Sequence, residues 1–476
     1  MCVRRLGLWG SLVGAMAVFL GGCGAQRSVS ADLEAIYGPV ASSIGDQRTP
    51  VIVIPGILGS NLRDTPTGTL VWGAYVYGAA DVDFADGSRL FALPMARGVA
   101  LSDLRDGVSP DGVLESLDVN VGLLRVTATE PYRGIIRSLA AGRYVDRDIA
   151  LAARGERAAV GDGGVNAAHF TCYQFDYDWR RDVSENAARL HDLVLFAGEQ
   201  AAIARGDDPA LTGAVPVDVV AHSMGGLVLQ YYLRYGTSQL PDDGSVPTPT
   251  WAGATHVRQA VLVGTPSGGS VLSLVQLVQG VRHSPITPTF QPAILGTMPS
   301  IYQLMPPAHA GAVVDARTGE PITDLFDVGL WERMGWGLAD PEQDRYLAWL
   351  LPDEPDAASR RAVALDHLGK CLARARQLHA ALDQGPVPGT RMVLFAGDAE
   401  PTPAVVGVDR VTGALQIRGF GPGDGTVTRS SALMAEGLSG GGWSQVFFLP
   451  RDHVKLTSDS TFTDNLLHLL LERPPA

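Results

Sequence analysis

Val217-Asp-Val-Val-Ala-His-Ser-Met-Gly-Gly-Leu-Val-Leu-Gln-Tyr-Tyr-Leu, residues 217–233, joins a β-branched run to an apolar helical pattern through one serine, Ser223. A strand that turns straight into a helix leaves almost no room at the turn, so the flanking residues must be small, here Ala221, Gly225 and Gly226. Such a turn lifts the serine hydroxyl above the sheet edge, and the helix N-terminus behind it favours developing negative charge. The spacing is that of the G-x-S-x-G nucleophile elbow, with Ala221 at the first glycine position. The competing explanation is a serine that merely caps a buried helix; the strand before it, the glycines after it and the all-round apolar helix speak against that. His222 adjoins Ser223, but neighbouring side chains at a turn point apart, so His222 is expected to pack and not to act as the base.

Outward from the elbow, the pattern alternates strands and helices. Val51-Ile-Val-Ile54 is a continuous β-branched run, the mark of a strand buried on both faces of a parallel sheet, and it ends in the glycine loop Pro55-Gly56-Ile57-Leu58-Gly59-Ser60. From Asn61 to about Gly164 the chain is loop-rich and is expected to be an insertion; Trp72, Tyr75 and Tyr77 either face lipid or pack inside it. Phe170–Asp176 resumes the sheet, and Tyr177-Asp178-Trp179-Arg180 follows, with Asp178 and Arg180 expected to be a buried ion pair pinning the loop. Val183, Ala187, Leu190, Val194 and Ala197 recur at helical spacing, with Asp182 or Ser184 at the helix start. Gln259–Pro266 is the next strand and its exit turn. Between Ser267 and about Pro388 only helical patterns appear, Val271–Val281, Leu325–Leu338 and Ala358–Leu382; this segment is expected to form a cap, to which Trp331, Trp336 and Trp349 give an aromatic character. Arg391–Gly397 and Gln445–Leu449 restore and close the sheet, and the leucine-rich tail Phe462–Glu472 is expected to be a helix on its far side. The alternation is that of an α/β fold with a mainly parallel sheet.

At 476 residues with 46% hydrophobic content the chain can bury a large core. A net charge of -13 excludes nucleic acid as a partner, because no basic stripe exists to neutralise phosphates. Arg4 and Arg5 precede an apolar run from Leu6 to Leu20, short for a membrane span and suited to a signal-peptide core. Leu20-Gly21-Gly22-Cys23 resembles a bacterial lipobox, which implies cleavage before Cys23, lipid attachment to its thiol and a cell-envelope location, the outer membrane in a Gram-negative cell. The expected organisation is therefore a signal peptide (1–22), a lipidated cysteine and tether (23–48), a first core segment (49–270, with the insertion at 61–165), a cap (271–388) and a second core segment (389–476). Cys172 and Cys371 remain in the mature body, either as a disulfide or as two buried thiols. No metal-ligand spacing is present, and no cofactor is expected.

A serine is a weak nucleophile at neutral pH; it needs a base to take its proton and a carboxylate to hold that base in the right tautomer. In the chain order of α/β hydrolases these follow as Ser, Asp or Glu, His. Two acids lie after late strands, Asp398 in Ala-Gly-Asp-Ala-Glu and Asp424 in Gly421-Pro-Gly-Asp-Gly-Thr-Val427. Asp424 is preferred, because flanking glycines let a short side chain reach inwards. His453 in Pro450-Arg-Asp-His-Val follows the last strand, where the fold presents its base. An oxyanion needs two convergent amides; Met224 of the elbow and Ile57 of the glycine loop are expected to supply them.

Together Pro55-Gly-Ile-Leu-Gly-Ser, Tyr177-Asp-Trp-Arg, Ala221-His-Ser-Met-Gly-Gly, Gly264-Thr-Pro, Pro299-Ser-Ile-Tyr-Gln-Leu-Met-Pro306 and Gly423-Asp-Gly-Thr-Val resemble, in order, the lecithin:cholesterol acyltransferase and lysosomal phospholipase A2 family. The resemblance implies an α/β hydrolase with a cap and a membrane-contacting insertion. It also implies metal-free transfer of an acyl group from a phospholipid or other acyl lipid, through an acyl-enzyme, to water or to an alcohol or sterol-like acceptor. Ser223, Asp424 and His453 match its triad by position, and Ile57 and Met224 its oxyanion amides. Animal members carry a disulfide in the first insertion and this chain has no cysteine there, so the lipid preference does not transfer. A triacylglycerol lipase or carboxylesterase is the nearest alternative, and an inactive lipid-binding envelope protein the alternative from another class.

Overall fold

Five runs rich in Val, Ile, Leu and Phe and the short edge run Cys172-Tyr-Gln174 form one all-parallel sheet, in spatial order Gln445–Leu449, Arg391–Gly397, Val257–Val263, Val217–His222, Val51–Ile54 and Cys172–Gln174. The computed structural model describes residues 32–114, 117–121, 124–129, 132–153, 170–282, 287–433 and 442–471. The expected signal peptide and Cys23 lie outside the described residues. Alternate strand residues serve the two faces. Ile52, Ile54, Val219, Ala221 and Leu262 join the helices Val183–Ala204, Met224–Tyr235 and Ala357–Leu382 in one core. Val51, Val53, Val220, Val261 and Phe395 pack against Phe462, Leu466, Leu467 and Leu470 of the C-terminal helix Ser460–Leu471, on the far side as expected. Both faces of the four inner strands are thereby closed to water, which is why those strands read as apolar runs, whereas the edge strand Gln445–Leu449 is only half-buried.

The strand order reverses beside Val51–Ile54, because the chain's second core strand, Cys172–Gln174, lies outside the first and the third lies inside it. Loops that leave the sheet at such a reversal diverge, opening a crevice above the strand ends. Ile54 pairs with Ala221 in register, so the glycine loop after residue 54 and the elbow at Ser223 leave the sheet side by side.

The insertion after the first strand contains more regular structure than its sequence announces. Ser60–Asp64 pairs with Leu70–Trp72 and Val108–Val113, and Ala74–Tyr75 pairs with Leu117–Val121, which pairs in turn with Leu124–Thr129. These strands are short and carry Asp, Asn, Gly and Pro, residues with poor β propensity, so their pairing is imposed by tertiary contact. Trp72 is buried against Phe91, Trp179 and Phe290, whereas Tyr77 is fully exposed. Arg180 forms the expected ion pair with Asp178 at 2.8 Å, and also reaches Asp106 at 2.8 Å and the carbonyl of Phe91 at 3.1 Å, fastening the insertion to the core.

The cap region is helical, with Val271–Gln279, Val328–Met334, Asp344–Leu350 and Ala357–Leu382 its main helices. Trp331 and Trp336 are buried edge-to-face within it at 5.7 Å, so its aromatic character is internal packing. An antiparallel hairpin, Glu400–Val408 with Leu415–Gly423, joins Val313–Asp315 of the cap in a separate three-stranded sheet. Pro401, Pro403, Gly419 and Gly421 hid this hairpin from a propensity-based reading. The segment 33–48 is also more ordered than a tether. Leu33–Ile44 is a helix inside the compact unit that runs from Leu33, and Tyr37 donates to Asp464 of the C-terminal helix at 2.7 Å. Cys172 and Cys371 are both free and buried. Among the described residues no helix is long and apolar enough to cross a membrane.

Candidate active site

Ser223 has φ 53° and ψ −128°. Two of the four non-glycine residues at positive φ among the described residues, Leu58 and Ser223, lie in the glycine loop and the elbow. Backbone held in such regions costs roughly 1–3 kcal/mol per residue and persists only where surroundings enforce it. Here they do: the Ser223 amide donates to the Val263 carbonyl at 2.8 Å. A Cβ on Gly56 would stand 2.7 Å from the Ser223 Cβ, and one on Gly225 would stand 2.3 Å from the Pro55 carbonyl oxygen. The small residues of both motifs are thus the condition for the close approach of elbow and glycine loop.

His453 and Asp424 arrive from the other end of the chain. His453 Nδ1 lies 2.7 Å from Asp424 Oδ2, and Nε2 lies 3.0 Å from Ser223 Oγ. An ionised carboxylate only accepts, so Nδ1 carries the proton and Nε2 faces the serine as an acceptor. Burial opposes ionisation of Asp424, but His453 and the amides of Val427 and Thr426, at 2.7 and 2.9 Å from Oδ1, outweigh it and hold the carboxyl below the usual range. The Asp424 carbonyl also accepts from the His453 amide at 2.9 Å, tying the two loops together. The hairpin that the sequence did not announce sets the place of Asp424: Gly423 ends its second strand, and buried Thr402 on the first accepts from the Gly425 amide at 2.8 Å. Thr402 carried no recognisable signal, because its partner is met only through the hairpin.

Among the described residues no hydrogen bond occupies the amides of Ile57 and Met224, and each belongs to one of the two loops that meet at Ser223. The glycine loop is braced on every side: Trp72 Nε1 donates to the Leu58 carbonyl at 2.7 Å, Tyr177 Oη to the Pro55 carbonyl at 2.8 Å, and Trp179 Nε1 to the Ser60 carbonyl at 3.1 Å. Asp398, the alternative acid, is half-buried and makes no hydrogen bond to His453, whose Nδ1 Asp424 already holds. No group of three or more His, Cys, Asp or Glu that could hold a metal occurs among the described residues. A cleft of about 240 Å³ runs between Ser267–Val271, Pro306–Ala312 and the hairpin; Thr426 and Thr428 border it, but Ser223 and His453 do not.

His222 packs, as expected, and does not face the serine hydroxyl. Its Nε2 lies 3.1 Å from the His453 carbonyl, and burial, reinforced by His453, pushes its pKa down to about 3. Burial likewise brings His367 and His379 down to about 4. A histidine that refuses in the fold a proton it accepts when unfolded contributes stability that is full above pH 6.5 and declines as pH falls towards the folded value. Each of the three should cost about 1.4 kcal/mol per pH unit in that window. A melting temperature that falls steeply between pH 6.5 and 4.5 is the expected result of a calorimetric series; a flat profile would contradict it.

Residues 167–328 match the family model described as lecithin:cholesterol acyltransferase, a span that holds Ser223 but ends before Asp424 and His453. No curated protein matches the chain. Among solved structures, the fold is similar to one in the crystal structure of the Tle4-Tli4 complex, with a TM-score of 0.54 and 18% identity over 89% of this chain and 98% of that one. Lipase 1 of Pelosinus fermentans aligns at a TM-score of 0.32 and 13% identity, covering 90% of this chain and 100% of that one. The mature lipase BlEst2 of Bacillus licheniformis aligns at 0.31 and 11%, covering 89% and 92%. Identity of 18% carries the fold and no activity, and scores near 0.3 carry no weight. With its six-stranded parallel sheet and serine elbow, the chain has the α/β-hydrolase fold, and its residues 167–328 match the lecithin:cholesterol acyltransferase family.

Proposed function

We propose that the protein is a serine-dependent lipid acyl hydrolase and O-acyltransferase that works through an acyl-enzyme on Ser223. The observation that carries this is the unbroken chain Ser223 Oγ, His453 Nε2, His453 Nδ1, Asp424 Oδ2, with separations of 3.0 and 2.7 Å, beneath a strained elbow. Ser223 Oγ attacks the ester carbonyl while His453 Nε2 takes its proton, and Asp424 stabilises the imidazolium that results. The carbonyl oxygen, now negative, turns towards the amides of Ile57 and Met224. On collapse the ester C–O bond breaks, His453 returns the proton to the leaving alkoxy group, and the acyl group stays on Ser223. Water or an alcohol then repeats the sequence in reverse, giving a fatty acid or a new ester. The family match supports lipid as the source of the acyl group. The same proposal places the enzyme in a bacterial cell envelope, tethered through Cys23.

The test incubates the protein with vesicles of acyl-labelled diacyl phospholipid and a long-chain alcohol, alongside Ser223→Ala. Label in the alcohol ester, absent from the variant, is the expected result for the transferase; label only in fatty acid makes the protein a hydrolase. In a parallel incubation with acyl-labelled triacylglycerol, release of label there while the phospholipid stays intact would replace this proposal with a triacylglycerol lipase.

A further inference from the structure

We infer that Tyr132 and His222 are positioning residues that hold the oxyanion loop and the base His453 in one register, an inference that rests on the acyl-transfer function proposed above. The Gly56 amide donates to Tyr132 Oη at 2.8 Å, Tyr132 Oη lies 3.4 Å from His222 Nδ1, and His222 Nε2 lies 3.1 Å from the His453 carbonyl oxygen. Every direction in this series is determined. A carbonyl can only accept, so His222 Nε2 carries the ring proton; neutral Nδ1 must then accept, and Tyr132 must give it its hydroxyl proton. The phenol oxygen is left to accept from Gly56. One polar path thus runs from the residue before Ile57 to the backbone of His453, and it is buried: Tyr132 is 4% exposed and His222 3%.

Packing fixes the same two residues independently. The Tyr132 and His222 rings meet edge-on at 5.7 Å, and the His222 and His453 rings lie 4.8 Å apart. A Cβ on Gly59 would stand 2.7 Å from Tyr132 Cε2, so this glycine leaves the space the phenol ring needs. Tyr132 opens the helix Arg133–Ala141, which rests on the turn after His453; a Cβ on Gly134 would stand 2.7 Å from the Thr457 carbonyl oxygen. The tyrosine is thereby clamped between the two loops whose spacing the chemistry needs. Without its hydroxyl the buried Gly56 N–H has no partner, a costly state for a buried donor, and the Pro55–Gly56 peptide is left held by Tyr177 at the Pro55 carbonyl alone. A peptide that pivots on that one bond to find a partner carries the next amide, Ile57, away from the oxyanion. Loss of the His222 Nε2 proton frees the His453 carbonyl and the imidazole with it. Neither residue faces the reacting atoms, so neither is a catalytic residue.

The experiment measures p-nitrophenyl ester hydrolysis and the rate of fluorophosphonate labelling for the full protein and for Tyr132→Phe, His222→Leu and His222→Gln, with the melting temperature of each. Displacements of an ångström cost on the order of 10- to 100-fold in rate. Tyr132→Phe and His222→Leu should lose about that much in kcat and in labelling rate, with KM within about 2-fold. His222→Gln, whose amide can donate near the position of Nε2, should recover most of it. Wild-type kcat in Tyr132→Phe and His222→Leu would overturn the inference. So would a His222→Gln variant as slow as His222→Leu, which marks a packing role only. Tyr132→Phe, which removes a single oxygen, decides the matter if His222→Leu does not fold. An unlabelled wild type would instead bring down the proposed function and this inference with it.

Discussion

Ser223→Ala should lower kcat on any ester substrate by on the order of 10⁵ to 10⁶, removing hydrolysis and transfer together. The two reactions differ only in what attacks the acyl-enzyme, and alanine leaves nothing to carry the acyl group. The variant keeps its Cβ, so the contacts with Gly56 and the elbow helix are retained, and the lost partner is a single hydrogen bond to His453 Nε2 at 3.0 Å. A net contribution of ~1 kcal/mol for such a bond should move the melting temperature by only a few degrees. A kinetic comparison with the melting curve beside it checks both halves. An inactive but stable variant is expected; activity within about 10-fold of wild type would show that another group performs the attack.

Asp424→Asn is the second large effect, a loss of roughly 10⁴ in kcat with the fold intact. The size follows from the side chain's other oxygen. Asp424 Oδ1 accepts from the amides of Thr426 and Val427, at 2.9 and 2.7 Å, so an asparagine must turn its carbonyl to those donors and its NH₂ to His453. A donor facing Nδ1 forces the imidazole into the tautomer with its proton on Nε2, which cannot then accept from Ser223. Asp398→Asn is the control, because Asp398 makes no contact with the histidine, and its kcat should stay within about 2-fold of wild type. A loss at Asp398 as deep as that at Asp424 would reassign the acid.

What the sequence made legible were the features fixed by local chemistry. A parallel strand buried on both faces must be largely apolar along its length, so Val51–Ile54, Val217–His222 and Arg391–Gly397 were plain from their runs of apolar residues, and Val257–Val263 was read from Gln259 onward. The elbow could be read because a strand-to-helix turn tolerates only small neighbours; chain order then pointed to His453 and left Asp398 and Asp424, between which the flanking glycines favoured Asp424. The hairpin Glu400–Gly423 was missed because its residues have poor β propensity and its stability comes from Val313–Asp315, some ninety positions away in the chain. Thr402 and Tyr132 were missed for a related reason: each does its work through a backbone amide, Gly425 or Gly56, and amides leave no mark in a sequence. The insertion looked like loop because its strands are short and polar, and the segment from Leu33 looked like a tether although its helix docks through Tyr37 onto the C-terminal helix.

The most direct test of a nucleophilic Ser223 is to react the full protein with an alkyl fluorophosphonate, digest it and locate the adduct by mass spectrometry. One adduct on the peptide that contains Ser223, absent from Ser223→Ala and formed far more slowly by Asp424→Asn, is the predicted result. An adduct on a different serine, or none on a protein that still cleaves lipid esters, would contradict the account.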